Sequence, residues 1–275
     1  MCRLFGFRSV IQSQVHQSLV DADNALGVQS ERHPHGWGVA YYAAGAPHIV
    51  KSVQTALSDN LFQKVSGVVS SETVLAHVRL ATHGEKTILN THPFQFGNWV
   101  FAHNGNIKDF EKHRDELKSH ILPKFKRYIL GETDSEILFY VLMSHISSRI
   151  DITRPACEIG LLKAAVSEAL DKVMEITGPY SKVEAGNTET YYTFIITNGT
   201  TMLAHQGGQK LYYSTYKNRC VERDTCPSFA PECEAPTKTG YINHLIFSSE
   251  PLSGENVWLE MQPGEMIGVD WQMKL

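Results

Sequence analysis

Residues 73–85 read Thr-Val-Leu-Ala-His-Val-Arg-Leu-Ala-Thr-His-Gly-Glu. In an extended chain Val74, Ala76, Val78 and Leu80 share one face, and Leu75, His77, Arg79 and Ala81 share the other. The first face is wholly apolar; the second carries an imidazole and a guanidinium. This alternation predicts a strand over 73–81, buried on one side, with Arg79 near its end. A polar loop follows to about Asn90.

Working outward, residues 2–8, 37–43 and 48–53 read as strands, the last two separated by a turn holding Gly45 and Pro47. Residues 99–104 make another strand that ends at Asn104-Gly105. The middle of the chain is helical. Thr133-Asp134-Ser135-Glu136 fits a capping box, followed by Ile137, Leu138, Val141 and Leu142 at helical spacing. A second helix is expected from about Pro155 to Thr177, stopped by Gly178-Pro179. Tyr191–Thr197 and Thr201–His205 flank Asn198-Gly199-Thr200 and predict a hairpin. Further strands are expected at 210–216, 241–248, 256–260 and 264–270, with a polar surface loop over 217–240. Strands, then helices, then strands predict an α+β layered domain spanning 2–275.

Composition narrows the function. The 275 residues carry a net charge of −4, with 42% hydrophobic and 20% charged residues. No basic footprint for nucleic acid is present, and no apolar run spans a membrane. No signal-peptide pattern opens the chain, so a cytoplasmic location is expected. Five cysteines then read as free thiols. Thirteen histidines invite a metal, yet no HExxH or zinc-like cysteine spacing occurs, and His77, His83, His92 and His103 fall on separate strands and loops. No metal and no cofactor are expected.

Four places can carry chemistry. Cys2 is small enough for methionine aminopeptidase to remove Met1. It would then hold a thiol (pKa about 8.5) beside its own α-amine (about 7.7–8.0), a nucleophile with a built-in base. Taken alone, it reads first as an ordinary small apolar residue in a first strand. Arg79, with Thr82 and His83 beyond it, can grip a carboxylate through two donors or form a structural ion pair. Asn104-Gly105 can pair a side-chain amide with a backbone N–H as an oxyanion hole, or make a turn. Asp134 can bind a cation, or rest at the positive end of its helix.

Taken in order, Met1-Cys2, 77–85 (HVRLATHGE), 90–94 (NTHPF), 103–107 (HNGNI) and 133–136 (TDSE) resemble the class II glutamine amidotransferases, the N-terminal nucleophile family. The motifs cover roughly residues 2–145, and more loosely 248–252. The resemblance implies a four-layer αββα sandwich of two antiparallel sheets between helix layers. It implies that Cys2 attacks the side-chain amide of glutamine and that Asn104 and Gly105 form the oxyanion hole. Arg79, with Thr82 and His83, would hold the substrate carboxylate, and Asp134 its ammonium. Where the family often has an acid before the strand near 37, this chain has His35, within Glu31-Arg32-His33-Pro34-His35-Gly36-Trp37-Gly38. That version is similar to the stand-alone branch, including amidohydrolases of ergothioneine synthesis and glutathione breakdown. It makes His35 and Trp37 candidates for the wall of an open substrate groove. No synthetase pattern follows, so any ammonia acceptor is expected on a separate subunit. The alternatives are another γ-glutamyl conjugate as substrate, or a non-catalytic amino-acid-binding module.

Overall fold

The computed structural model describes residues 2–183 and 185–275. The strand read at 73–81 is β4 (Ser70–Val78). It lies between β1 (Arg3–Gln14) and β2 (Trp37–Ala43) in a seven-stranded antiparallel sheet. Beyond β2 lies the edge strand β3 (Ala46–Ser52). Beyond β1 lie β10 (His244–Ser248), β9 (Tyr212–Ser214) and β11 (Leu259–Glu260). A five-stranded antiparallel sheet runs β12 (Met266–Val269), β8 (Met202–His205), β7 (Tyr191–Thr197), β6 (Trp99–Asn106), β5 (Phe94–Phe96).

Alternation on β4 decides which layer each side chain enters. Val74, Ala76 and Val78 pack with Phe5, Trp37 and Val39 against Leu26 of α1 (Leu26–Gln29) and Phe62 and Val65 of α2 (Asn60–Val68). Leu75 turns the other way, into a core between the sheets with Leu4, Ala40, Val100, Ala102, Ile195 and Phe247. The outer face of the second sheet is covered by α3 (Phe110–Ser119), α4 (Pro123–Lys126), α5 (Asp134–Arg149) and α6 (Ile159–Thr177). The result is the four-layer αββα sandwich that the resemblance implies. Helix α5 is apolar on nearly all sides because it lies within this layer, packed against β6, α3 and α6. Each fully buried aliphatic side chain there contributes about 1.5–3 kcal/mol by leaving water.

Several expectations shift. Strand β1 continues six residues past Arg8, because pairing with β4 resumes at Ser13 after an irregularity. Helix α6 starts at Ile159, not Pro155. The carbonyls of Pro155 and Cys157 are occupied by the β7–β8 hairpin, which donates from Asn198 Nδ2, Thr200 Oγ1 and Thr201 Oγ1. Half of the capping box forms: Thr133 accepts from the Glu136 N–H at 3.2 Å, but the Glu136 carboxylate turns to the Leu130 and Gly131 N–H groups. All five cysteines are unbridged. Among the described residues no helix is long and apolar enough to cross a membrane.

Candidate active site

Cys2 immediately precedes β1, whose Arg3 is paired with Val78 at the end of β4. That register brings the thiol to the chain just beyond β4. The Leu80 N–H donates to Sγ at 3.2 Å, and the thiol donates back to the Leu80 carbonyl at 3.4 Å. Cys2 is buried. Burial pushes its thiol up, against the opposing pull of the Leu80 N–H and the Arg79 guanidinium.

Arg79 is also buried. Its N–H donates to Gly36 at 2.7 Å and its carbonyl accepts from His35 N–H at 3.0 Å, extending the β2–β4 ladder past its end. The guanidinium donates to the His83 carbonyl at 2.9 Å and the Glu85 carbonyl at 3.1 Å. A guanidinium has five N–H donors, so three stay available for a planar anion. The loop that follows β4 is thus folded around the arginine's own head group.

Asp134 opens α5. One carboxylate oxygen accepts from the Ile107 N–H at 2.8 Å, just past β6; the other accepts from the Ser135 N–H at 2.8 Å. These bonds fasten the exit of β6 to the helix. Within β6, His103 bonds Ser135 Oγ through Nδ1 at 2.9 Å and donates through Nε2 to the Tyr191 carbonyl at 3.0 Å. Gly105 must lack a side chain: a Cβ there would meet His103 Nε2 at 2.0 Å and the Tyr191 oxygen at 2.3 Å. The neighbouring Asn104 is buried, and its side-chain oxygen has no hydrogen-bond partner among the described residues.

The four histidines converge after all. The His77 and His92 rings stand 4.1 Å apart, and His77 donates to the His103 carbonyl at 3.2 Å. Burial drives His77 and His92 well below the usual imidazole range and lowers His103. For His92, repulsion from His77, His103, Arg79 and Lys51 adds to burial. All three rings are therefore neutral near pH 7. Among the described residues no group of His, Cys, Asp or Glu could hold a metal ion.

Cys2, Arg79, Leu80, Thr82, His83, Gly105 and Asp134 line one narrow cleft, with His92, His103, Thr133 and Ser135 completing its wall. Its volume is about 10 Å³, the space of about one water. Six of the sequence candidates thus meet in one place. Asn104 sits beside it on β6. Trp37 does not wall a groove: it is fully buried, stacked edge-on against Phe62, with its indole N–H on Asp59 at 2.9 Å. Strand alternation that starts one residue after a turn offers no sign of this. His35 is partly exposed and does not line the cleft; its Nδ1 accepts the Ala81 N–H at 3.0 Å. Ser135 and the Leu80 main chain were not singled out by residue type. Ser135 lay within the 133–136 motif, whereas a backbone N–H carries no sequence signal.

The model of the class-II glutamine amidotransferases matches residues 1–271, and the chain belongs to that family. A Haemophilus influenzae protein, named at family level as a glutamine amidotransferase, is 26% identical over 276 residues, 97% of this chain and 83% of its own length. The γ-glutamyl-hercynylcysteine sulfoxide hydrolase of Mycobacterium tuberculosis is 34% identical over 117 residues, 39% of this chain and 50% of its own. A solved class-II glutamine aminotransferase domain protein from Silicibacter pomeroyi shares the fold, with TM-score 0.61 and 22% identity over 98% of this chain and 94% of its own. The chain spans about half the length of several curated relatives that it matches.

Proposed function

We propose that the chain hydrolyses the side-chain amide of glutamine, with Cys2 as nucleophile once Met1 has been removed. The observation that carries this reading is the single cleft in which the Cys2 thiol, the Arg79 guanidinium and the Asp134 carboxylate meet. A thiol faces an anion grip and a cation grip, the two ends of an amino acid's backbone. Arg79 takes the α-carboxylate with its remaining donors, and Thr82 and His83 stand beside it. Asp134 takes the α-ammonium on lone pairs that Ile107 and Ser135 leave unused.

Burial raises the thiol, so it reaches the substrate protonated. The freed α-amine of Cys2 takes that proton as Sγ attacks the amide carbon. The developing oxyanion is met by the Asn104 side-chain amide and the Gly105 N–H. The amine returns the proton to the departing nitrogen, and ammonia leaves a thioester. Water then attacks the thioester carbon, releasing glutamate and restoring the thiol. The ammonia goes to solvent or to a separate acceptor subunit.

A γ-glutamyl conjugate is the second reading, favoured by the likeness to the mycobacterial hydrolase. The buried position of Trp37, which removes one wall of the expected open groove, supports the smaller substrate. Comparison of kcat/KM for glutamine and for a γ-glutamyl peptide separates the two. The nucleophile is tested with a glutamine-like diazo-ketone. Cys2 is expected to be modified alone among the five cysteines, and Cys2→Ala to lose roughly 10⁴-fold or more in kcat while still binding glutamine. Inactivation that tracks labelling of Cys220 or Cys233 overturns the assignment. Mass spectrometry of the active protein should find Cys2 at the N-terminus.

A further inference from the structure

The exposed edges of the two sheets, β3 and β5, lie at the same end of the sandwich, and a cavity of about 380 Å³ opens between them. It is separate from the cleft around Cys2. His92 and Thr133 line that cleft, whereas Pro93 and Glu136 line this cavity. Its volume falls within the roughly 300–1,000 Å³ of small-molecule sites. Its walls are mostly apolar or aromatic, among them Ile49, Leu89, Phe94 and Tyr140. Leu89 and Leu130 at its rim are more than half exposed and extend its apolar wall to the surface.

Lys51 is the cation of this cavity. Its Nζ lies 5.4 Å from the centre of the Phe94 ring and makes no hydrogen bond or ion pair with a described residue. The acid on the same cavity, Glu136, spends one oxygen on the Leu130 N–H at 3.0 Å and the other on the Gly131 N–H at 2.7 Å. An ammonium partly withdrawn from water with no anion in contact is costly, and the charge of Glu136 acts on it only from beyond contact. Burial pulls Lys51 down to about 8, with Glu136 opposing.

We propose that this cavity binds a small organic monocarboxylate, its carboxylate on Lys51 Nζ and its aromatic or aliphatic body against Phe94, Leu89 and Tyr140. A single negative charge matches the one lysine that lines the cavity among the described residues. A phosphate dianion would place its second charge near Glu136 with no cation to receive it. An uncharged apolar molecule would leave the Lys51 ammonium with no anion in contact. The site is independent of the glutamine reading, since none of its residues is assigned a part in amide hydrolysis.

The test is calorimetric titration of the full chain with 3-phenylpropionate. Saturable binding is expected, weakened about tenfold or more by Lys51→Met and by the same factor when uncharged 3-phenylpropionamide replaces the acid. Inorganic phosphate should not displace the acid. Equal affinity for acid and amide, equal affinity in Lys51→Met, or displacement by phosphate each overturns the proposal. A second measurement needs no variant. Acetic anhydride at pH 8 should acetylate Lys51, and 3-phenylpropionate should slow that acetylation about tenfold or more at saturation. Peptide mass spectrometry reads the site, and unchanged labelling of Lys51 in the presence of the acid also overturns the proposal.

Discussion

At the cleft end of the molecule, His77 Nδ1, His83 Nε2, both ring nitrogens of His92 and Asn104 Oδ1 are buried without a hydrogen-bond partner. In the α5–α6 layer, among the described residues, no side chain of either helix is in that state. One region carries polar groups that cost about 1–3 kcal/mol each when unpaired; the other is packed with aliphatic and aromatic side chains. The contrast teaches where each property of the protein resides. Unpaired buried polar groups near the cleft burden stability, and the helical layer offsets them. Substitutions in the two regions should therefore separate activity from stability.

Under the proposed function Asn104→Ala removes an oxyanion donor, and it is expected to lower kcat about 10²–10³-fold with little change in KM. Its thermal midpoint should stay or rise, because an unpartnered buried oxygen goes with it. Kinetics and melting on the same preparation check both halves. A raised KM with kcat intact would make Asn104 a binding residue instead.

Leu142→Ala should do the reverse. Leu142 is fully buried in α5, and truncation should cost about 2–5 kcal/mol in urea unfolding. Turnover well below the transition should be unchanged. Loss of kcat at full foldedness would show that the two regions are not separable.

Acid should erode stability through the buried histidines. His205 on β8 donates from Nδ1 to the Tyr192 carbonyl at 2.8 Å, and burial holds it at about 4. Its folded value lies below its unfolded one, so the unfolded chain binds the proton first. Stability is complete above about pH 6.5 and falls as pH drops toward 4, by about 3 kcal/mol from this residue. His77 and His92 act in the same direction. Urea midpoints at pH 7, 5.5 and 4.5 should fall less steeply in His205→Gln, which keeps a donor but cannot titrate. An unaltered slope would assign the acid sensitivity to the other buried histidines, His77, His92 and His244, the last held by burial at about 4 like His205.

The smallest effect is expected at the surface of the helical layer. Arg149 of α5 pairs with Glu168 of α6, both nearly half exposed. Arg149→Ala should change unfolding free energy by less than about 1 kcal/mol. A larger loss would mean that ion pairing, and not packing, joins the two helices.

The periodic elements were legible in the sequence. Alternation placed β4 and both its faces, Thr133 marked the start of α5, and Asn198-Gly199-Thr200 marked the β7–β8 hairpin. Helix α3 was not legible, because Phe110 and Leu117 are its only buried residues and leave no stripe to read. Helix α2 hides behind Val65, Val68 and Gly67, which read as strand or breaker. The clustering of Cys2, Arg79, Gly105 and Asp134 followed from motif order, not from periodicity. Trp37 was misplaced because a large aromatic at the start of a strand serves a core as readily as a groove.

Arg79 anchors its own loop through the main-chain oxygens of residues 83 and 85, and Asn90 closes that loop by bonding the Glu85 carbonyl and the Glu132 N–H. What is fastened is backbone, while the side chains of Glu85, Lys86, Ile88 and Leu89 are exposed. The segment therefore has freedom of spelling without freedom of length. Exchanges at 86–89 can accumulate without disturbing the arginine, whereas adding or removing one residue between 83 and 90 would shift both oxygens out of its reach. For anyone remodelling this protein, that stretch is a place to rewrite letters, Leu89 at the Lys51 cavity excepted, and never to change their number.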